Sequence, residues 1–71
     1  MKSELIELKG VITLILPNAM FRVKLDGGEK VILCYLCGKM NKRFIKLTVG
    51  DGVLVEMSPV DTEKGRIMRR F

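Results

Sequence analysis

The chain has 71 residues, of which 13 are lysine or arginine and 8 are aspartate or glutamate, with no histidine and a net charge of +5. One domain of this length buries only about 60% of the surface its unfolded form exposes, which leaves little room for a deep catalytic cleft. An apolar fraction of 48% excludes a disordered tail, and no run approaches the roughly 20 apolar residues that a spanning helix needs.

The N-terminal stretch, with Glu4 and Glu7 among its first residues, carries acids where a signal peptide would want an apolar run, so a soluble, non-exported protein is expected. From Leu5 to Leu16 the even positions Ile6, Leu8, Ile12, Leu14 and Leu16 are apolar while Glu7, Lys9 and Thr13 intervene. That period predicts one long, half-buried first strand. Gly10 interrupts it and marks either a bulge or the sharp coil by which one strand serves both sides of a small barrel. Pro17 and Asn18 end the strand.

Met20 to Leu25 alternates cleanly, with Phe21, Val23 and Leu25 on one face and Arg22 and Lys24 on the other. This predicts a second strand with a basic outer surface. Asp26-Gly27-Gly28-Glu29 supplies a tight reversal, so Lys30 to Leu36 returns antiparallel as the third strand. After Gly38, apolar residues at 40, 44 and 45 within a basic, polar run predict one or two helical turns. Gly50-Asp51-Gly52 marks a turn, Val53 to Met57 a fourth strand, residues 58–65 a loop, and Arg66 to Arg70 a fifth strand. Three strands, a short helix between strands three and four, and two more strands give the element order of an all-β, five-stranded OB-fold barrel, with SH3-like barrels as the nearest competitor.

Charge is distributed unevenly. Residues 1–38 hold five basic and four acidic side chains, whereas residues 39–71 hold eight basic and four acidic. Lys39, Lys42, Arg43 and Lys46 form one basic group, and Lys64, Arg66, Arg69 and Arg70 form another. Such charges are usually a solvated surface, but the OB order would bring both groups to adjoining parts of one barrel, where they would add into a face for RNA phosphates. Among the aromatics, Phe21 and Phe44 read as core. Tyr35 on the third strand is the candidate for stacking on a base.

Cys34-Tyr35-Leu36-Cys37 matches C-x-x-C, yet zinc would need two more ligands, and the chain has no further cysteine and no histidine. Residues three apart on a strand would also project to opposite faces. A structural role for both cysteines, with no metal and no cofactor, is expected. No histidine is available for general base work, no phosphate loop occurs, and Asp61 and Glu63 read as turn formers, so catalysis is not expected.

The blocks Leu16-Pro17-Asn18-Ala19-Met20-Phe21-Arg22-Val23, Gly38-Lys39-Met40, Phe44-Ile45-Lys46, Gly50-Asp51, Glu56, Ser58-Pro59, Asp61 and Lys64-Gly65-Arg66-Ile67 closely resemble translation initiation factor one of bacteria and plastids. The resemblance runs from about Ile6 to Arg70. It implies a single S1-like OB-fold over residues 1–71 that acts without chemistry, as a monomer, in the cytoplasm or plastid stroma. Such a factor binds RNA at the decoding (aminoacyl) site of the small ribosomal subunit and assists initiation beside factors two and three. Adenines of the decoding helix are displaced from their stack into protein pockets. Carried onto matching positions, the implied contacts are Lys39, Met40, Lys42, Lys46, Lys64 and Arg66, with Arg22 on the second strand. Asn41 and Arg43 invert the family's basic-then-polar order, so Arg43 takes over the charge. The full RNA-binding set is then Arg22, Tyr35, Lys39, Met40, Asn41, Lys42, Arg43, Lys46, Lys64, Arg66, Arg69 and Arg70. Two alternatives are a general single-stranded nucleic-acid binder of the cold-shock type and a structural ribosomal barrel.

Overall fold

Alternating hydrophobicity and turn chemistry divide the chain into β1 (Ile6–Leu16), β2 (Met20–Leu25), β3 (Val31–Leu36), β4 (Gly52–Met57) and β5 (Lys64–Arg70). The structure, a computed structural model, describes residues 5–38 and 46–71. The short helix expected after the third strand lies outside the described residues. The strands close into a barrel in the order β1-β2-β3-β5-β4. Only β3 and β5 run parallel; the other four pairings are antiparallel. This is the OB-fold that the order of elements predicts.

Closure depends on β1. Its first half, Ile6 to Val11, pairs with β4, and Gly10 to Leu16 pair with β2, so Gly10 and Val11 belong to both ladders. Gly10 is therefore the coil and not the bulge. A β-carbon there would stand 2.5 Å from Val23 Cγ1 and 2.8 Å from the Lys24 carbonyl oxygen, a closeness only glycine permits. The bulge falls at Thr13, where the register passes from Ile12 opposite Val23 to Leu14 opposite Arg22.

One extra residue flips every side chain beyond it to the other face. Leu14 consequently points outward beside Arg22, against the even-position pattern of the sequence. Of the even positions in β1, only Gly10 and Ile12 are buried. Ile6 and Leu8 stay partly open because each half of β1 has a neighbouring strand on one edge only.

The core gathers Ile12, Phe21, Val23, Ile32, Cys34, Val53, Val55, Met57 and Ile67, with Cys37 and Leu47 at its margin. Phe21 is buried as its phase in β2 requires. β5 begins two residues earlier than the sequence suggests, at Lys64, which places Gly65 inside it. The absence of a side chain there leaves space filled by Val55, Ile32 and Cys34.

The cysteines correct a sequence expectation. Both are buried in the same core and both are free thiols. Cys34 lies within β3, but Cys37 falls just beyond its last residue, where the pleat no longer dictates direction. There the Cys37 amide donates to the Ile67 carbonyl at 3.1 Å. Burial pushes the Cys34 thiol up to about 12, so it stays neutral near pH 7.

Candidate nucleic-acid interface

The outer face of β2, β3 and β5 carries the cations that local pattern alone could not bring together. Arg22 of β2 lies opposite Leu33 of β3, and Leu33 is in register with Lys64 of β5. One rung along, Met20 lies opposite Tyr35, Tyr35 is in register with Arg66, and Arg66 lies opposite Glu56 of β4. With adjacent strands about 4.8 Å apart, Arg22 and Lys64 sit roughly 10 Å from each other across Leu33. Tyr35 is 46% exposed between them and Arg66, as a ring available to a base must be.

A cavity of about 320 Å³ opens at the Arg66 rung. It is lined by Tyr35, Glu56, Ser58, Asp61, Lys64 and Arg66, together with the apolar Leu5 and Met57. The loop before β5 shapes one side. Asp61 accepts from the Glu63 amide at 3.2 Å and Ser58 Oγ accepts from the Val60 amide at 3.1 Å. Asp61 thus serves the turn as the sequence suggested, and Glu63 instead pairs with Lys30 at 3.1 Å.

Not every basic residue is free for a ligand. Lys24, whose place beside Arg22 the strand alternation already indicated, pairs with Glu29 at 3.7 Å. Lys30 holds Glu63 and Thr62. Arg66 forms an ion pair and hydrogen bond with Glu56, and that bond first, then the carboxylate's charge, holds its guanidinium above the usual arginine range. Among the described residues, Arg22 and Lys64 have no ion-pair partner.

The far end of β5 forms a separate group. Arg70 Nη1 donates to the Lys46 carbonyl at 2.8 Å, which draws together two of the expected RNA contacts. Arg69 stands over the Phe71 ring at 5.2 Å, and Lys9 of β1 at 5.3 Å. Arg69 lies roughly 10 Å along β5 from Arg66, at about 3.3 Å per residue. Among the described residues, Lys64 and Arg66 therefore occupy one end of β5, and Arg69 and Arg70 the other. Lys39, Met40, Asn41, Lys42 and Arg43 lie outside the described residues. Glu56, Ser58 and Asp61 stood among the resembling blocks, but their place beside Tyr35 and Arg66 depends on β4–β5 and β3–β5 pairing, which no local spacing reports.

No helix among the described residues is long and apolar enough to cross a membrane, and no group of three potential metal ligands occurs among them.

A family model described as "Translation initiation factor 1A / IF-1" matches residues 1–71. The fold is similar to the solution structure of translation initiation factor one from the Wolbachia endosymbiont of Brugia malayi, with a TM-score of 0.77 and 49% identity over 94% of this chain and 78% of that one. It is also similar to the crystal structure of YjeQ from Thermotoga maritima, with a TM-score of 0.75 and 29% identity over 93% of this chain but only 23% of that one. In YjeQ the matching barrel is thus one part of a longer polypeptide.

Proposed function

The chain belongs to the translation initiation factor 1A / IF-1 family, and from that premise we propose that it binds RNA of the small ribosomal subunit at the decoding (aminoacyl) site and assists initiation together with factors two and three. In this reading it acts as a monomer in the cytoplasm or plastid stroma and makes or breaks no covalent bond. Affinity comes from phosphate neutralisation and position from the shape of the barrel.

The observation that carries the reading is the register of Arg22, Lys64, Tyr35 and Arg66 on adjacent rungs of β2, β3 and β5. Cations on such a sheet face neutralise phosphates, and an exposed tyrosine among them offers a stacking surface to an unpaired base. Lys39, Met40, Asn41, Lys42, Arg43 and Lys46 extend the contact set, with Arg69 and Arg70 at the far end of β5. A face holding one exposed aromatic among the described residues, Tyr35, favours folded RNA recognised by shape and backbone over a bare single strand, for which rows of stacking rings are the usual device.

Chemical footprinting of small-subunit RNA with and without the protein tests the proposal. Protection confined to the decoding helix is the expected result. Protection elsewhere, or tighter binding to a free oligonucleotide than to intact subunits, would overturn it.

A further inference from the structure

The two cations of β5 that flank the cavity differ in kind. Lys64 has no ion-pair partner among the described residues, whereas Arg66 is tied through Nη2 to Oε1 of Glu56 on the neighbouring strand. The Glu56 side chain is 15% exposed and that of Arg66 is 41% exposed. The carboxylate is therefore the more shielded partner, and the guanidinium keeps part of its surface open to solvent. Cross-strand register fixes the arrangement, because Arg66 lies between Tyr35 on β3 and Glu56 on β4 within a single rung.

A guanidinium whose charge is already compensated, and whose fork is partly committed to a carboxylate, contributes little to neutralising a phosphate. The same group is well suited to a nucleobase. It is planar, weakly hydrated, carries further N–H donors, and stacks on aromatic faces. Anchoring also lowers the side-chain entropy that a free arginine would lose on binding. The cavity beside it, about 320 Å³, lies at the small end of the roughly 300–1,000 Å³ range of ligand pockets, a size for one planar group and not for a strand.

We infer that Glu56 is a positioning residue of the RNA site, which holds Arg66 beside Tyr35 as a flat, base-contacting surface and removes it from the set of phosphate-binding cations. The inference rests on the RNA-binding reading above. It divides labour on the face: Arg22 and Lys64 hold backbone, and the Tyr35–Arg66 rung meets an unstacked base, as phosphate contacts position and base contacts specify.

Salt dependence separates the two kinds of contact. Binding to purified small ribosomal subunits is measured over a series of potassium chloride concentrations for the wild type, Lys64→Gln, Arg66→Gln and Glu56→Gln. Loss of one phosphate contact flattens the log-log slope by roughly 0.7–0.9. Lys64→Gln should show that change. Arg66→Gln should weaken binding at every salt concentration while keeping the wild-type slope. Glu56→Gln frees the charge of Arg66 and should steepen the slope by a similar amount. If Arg66→Gln flattens the slope as Lys64→Gln does, or Glu56→Gln lowers only the melting temperature at an unchanged slope, the inference is overturned while the RNA reading stands. Absence of wild-type binding would bring down the RNA reading and the inference with it.

Discussion

Gly10 of β1 lies so close to Val23 of β2 that a β-carbon on Gly10 would stand 2.5 Å from Val23 Cγ1, and 2.8 Å from the Lys24 carbonyl oxygen behind it. The valine methyl can shift only into a filled core, and the carbonyl belongs to the ladder that closes the barrel. Gly10→Ala should destabilise the protein by about 1–3 kcal/mol, the usual cost of overpacking. In a domain of this size that is a fall of roughly 4–8 °C in Tm for each kcal/mol. Gly28→Ala is the control, since nothing lies within 4 Å of a β-carbon there. Equal melting temperatures for the two variants would show that β1 and β2 do not approach in this way.

The same approach explains what the sequence could and could not announce. β2 and the inner face of β3 are legible because Phe21, Val23, Ile32 and Cys34 keep the two-residue period without interruption. β1 is legible as a strand but not in its facing, because the bulge at Thr13 turns Leu14 outward and no residue type marks the bulge. Alternation misplaces Cys37 because the pleat does not extend past Leu36, where both the sequence reading and the structure end β3. On the candidate site, alternation puts Arg22, Lys24 and Tyr35 on outer faces. The neighbours of Tyr35 are set by a parallel β3–β5 pairing between residues 31 positions apart, Tyr35 and Arg66. A register of that kind is a property of the closed barrel and leaves no trace in local spacing.

Arg22 and Lys64 share one rung two strands apart, roughly 10 Å from each other, far enough for each to take its own phosphate. Arg22→Ala and Lys64→Ala should each flatten the salt dependence of small-subunit binding by roughly 0.7–0.9, and the double variant by about the sum. Both side chains are exposed, so the melting temperature should hardly move. A double variant with the slope of either single one would mean that the two cations compete for one phosphate.

Ala19 is held at φ 57° and Asn18 at φ 63° in the connection from β1 to β2. Asparagine enters the left-handed region through local hydrogen bonding, but alanine gains nothing there and costs about 1–2 kcal/mol. Glycine relieves that strain and gives back part of the gain as greater freedom in the unfolded chain. Ala19→Gly should therefore stabilise the protein slightly, by less than about 1 kcal/mol, while Ala19→Val, with a branched β-carbon, should destabilise it by more than about 1 kcal/mol. Urea unfolding measures both. A less stable glycine variant would mean that Ala19 is not strained.

The buried Cys34 thiol makes stability fall in alkali, and the sign follows from which state holds the proton. Burial pushes the folded-state thiol from 9.0 up to about 12, whereas in the unfolded chain it ionises near its ordinary value. Below about pH 9 both states are protonated and the contribution is fully present. Between about pH 9 and pH 12 the unfolded state binds fewer protons than the folded one, so stability declines by up to about 1.4 kcal/mol per pH unit. The comparison that isolates the thiol is with Cys34→Val, which keeps an apolar side chain and removes the proton. The urea midpoint of the wild type should drop more steeply above about pH 9 than that of Cys34→Val, and parallel curves would show that the thiol is not desolvated as the core implies. A thiol held neutral at pH 7 is also a poor nucleophile and metal ligand. Mild thiol reagents and chelators at that pH should accordingly leave Cys34 unmodified and the affinity for small-subunit RNA unchanged.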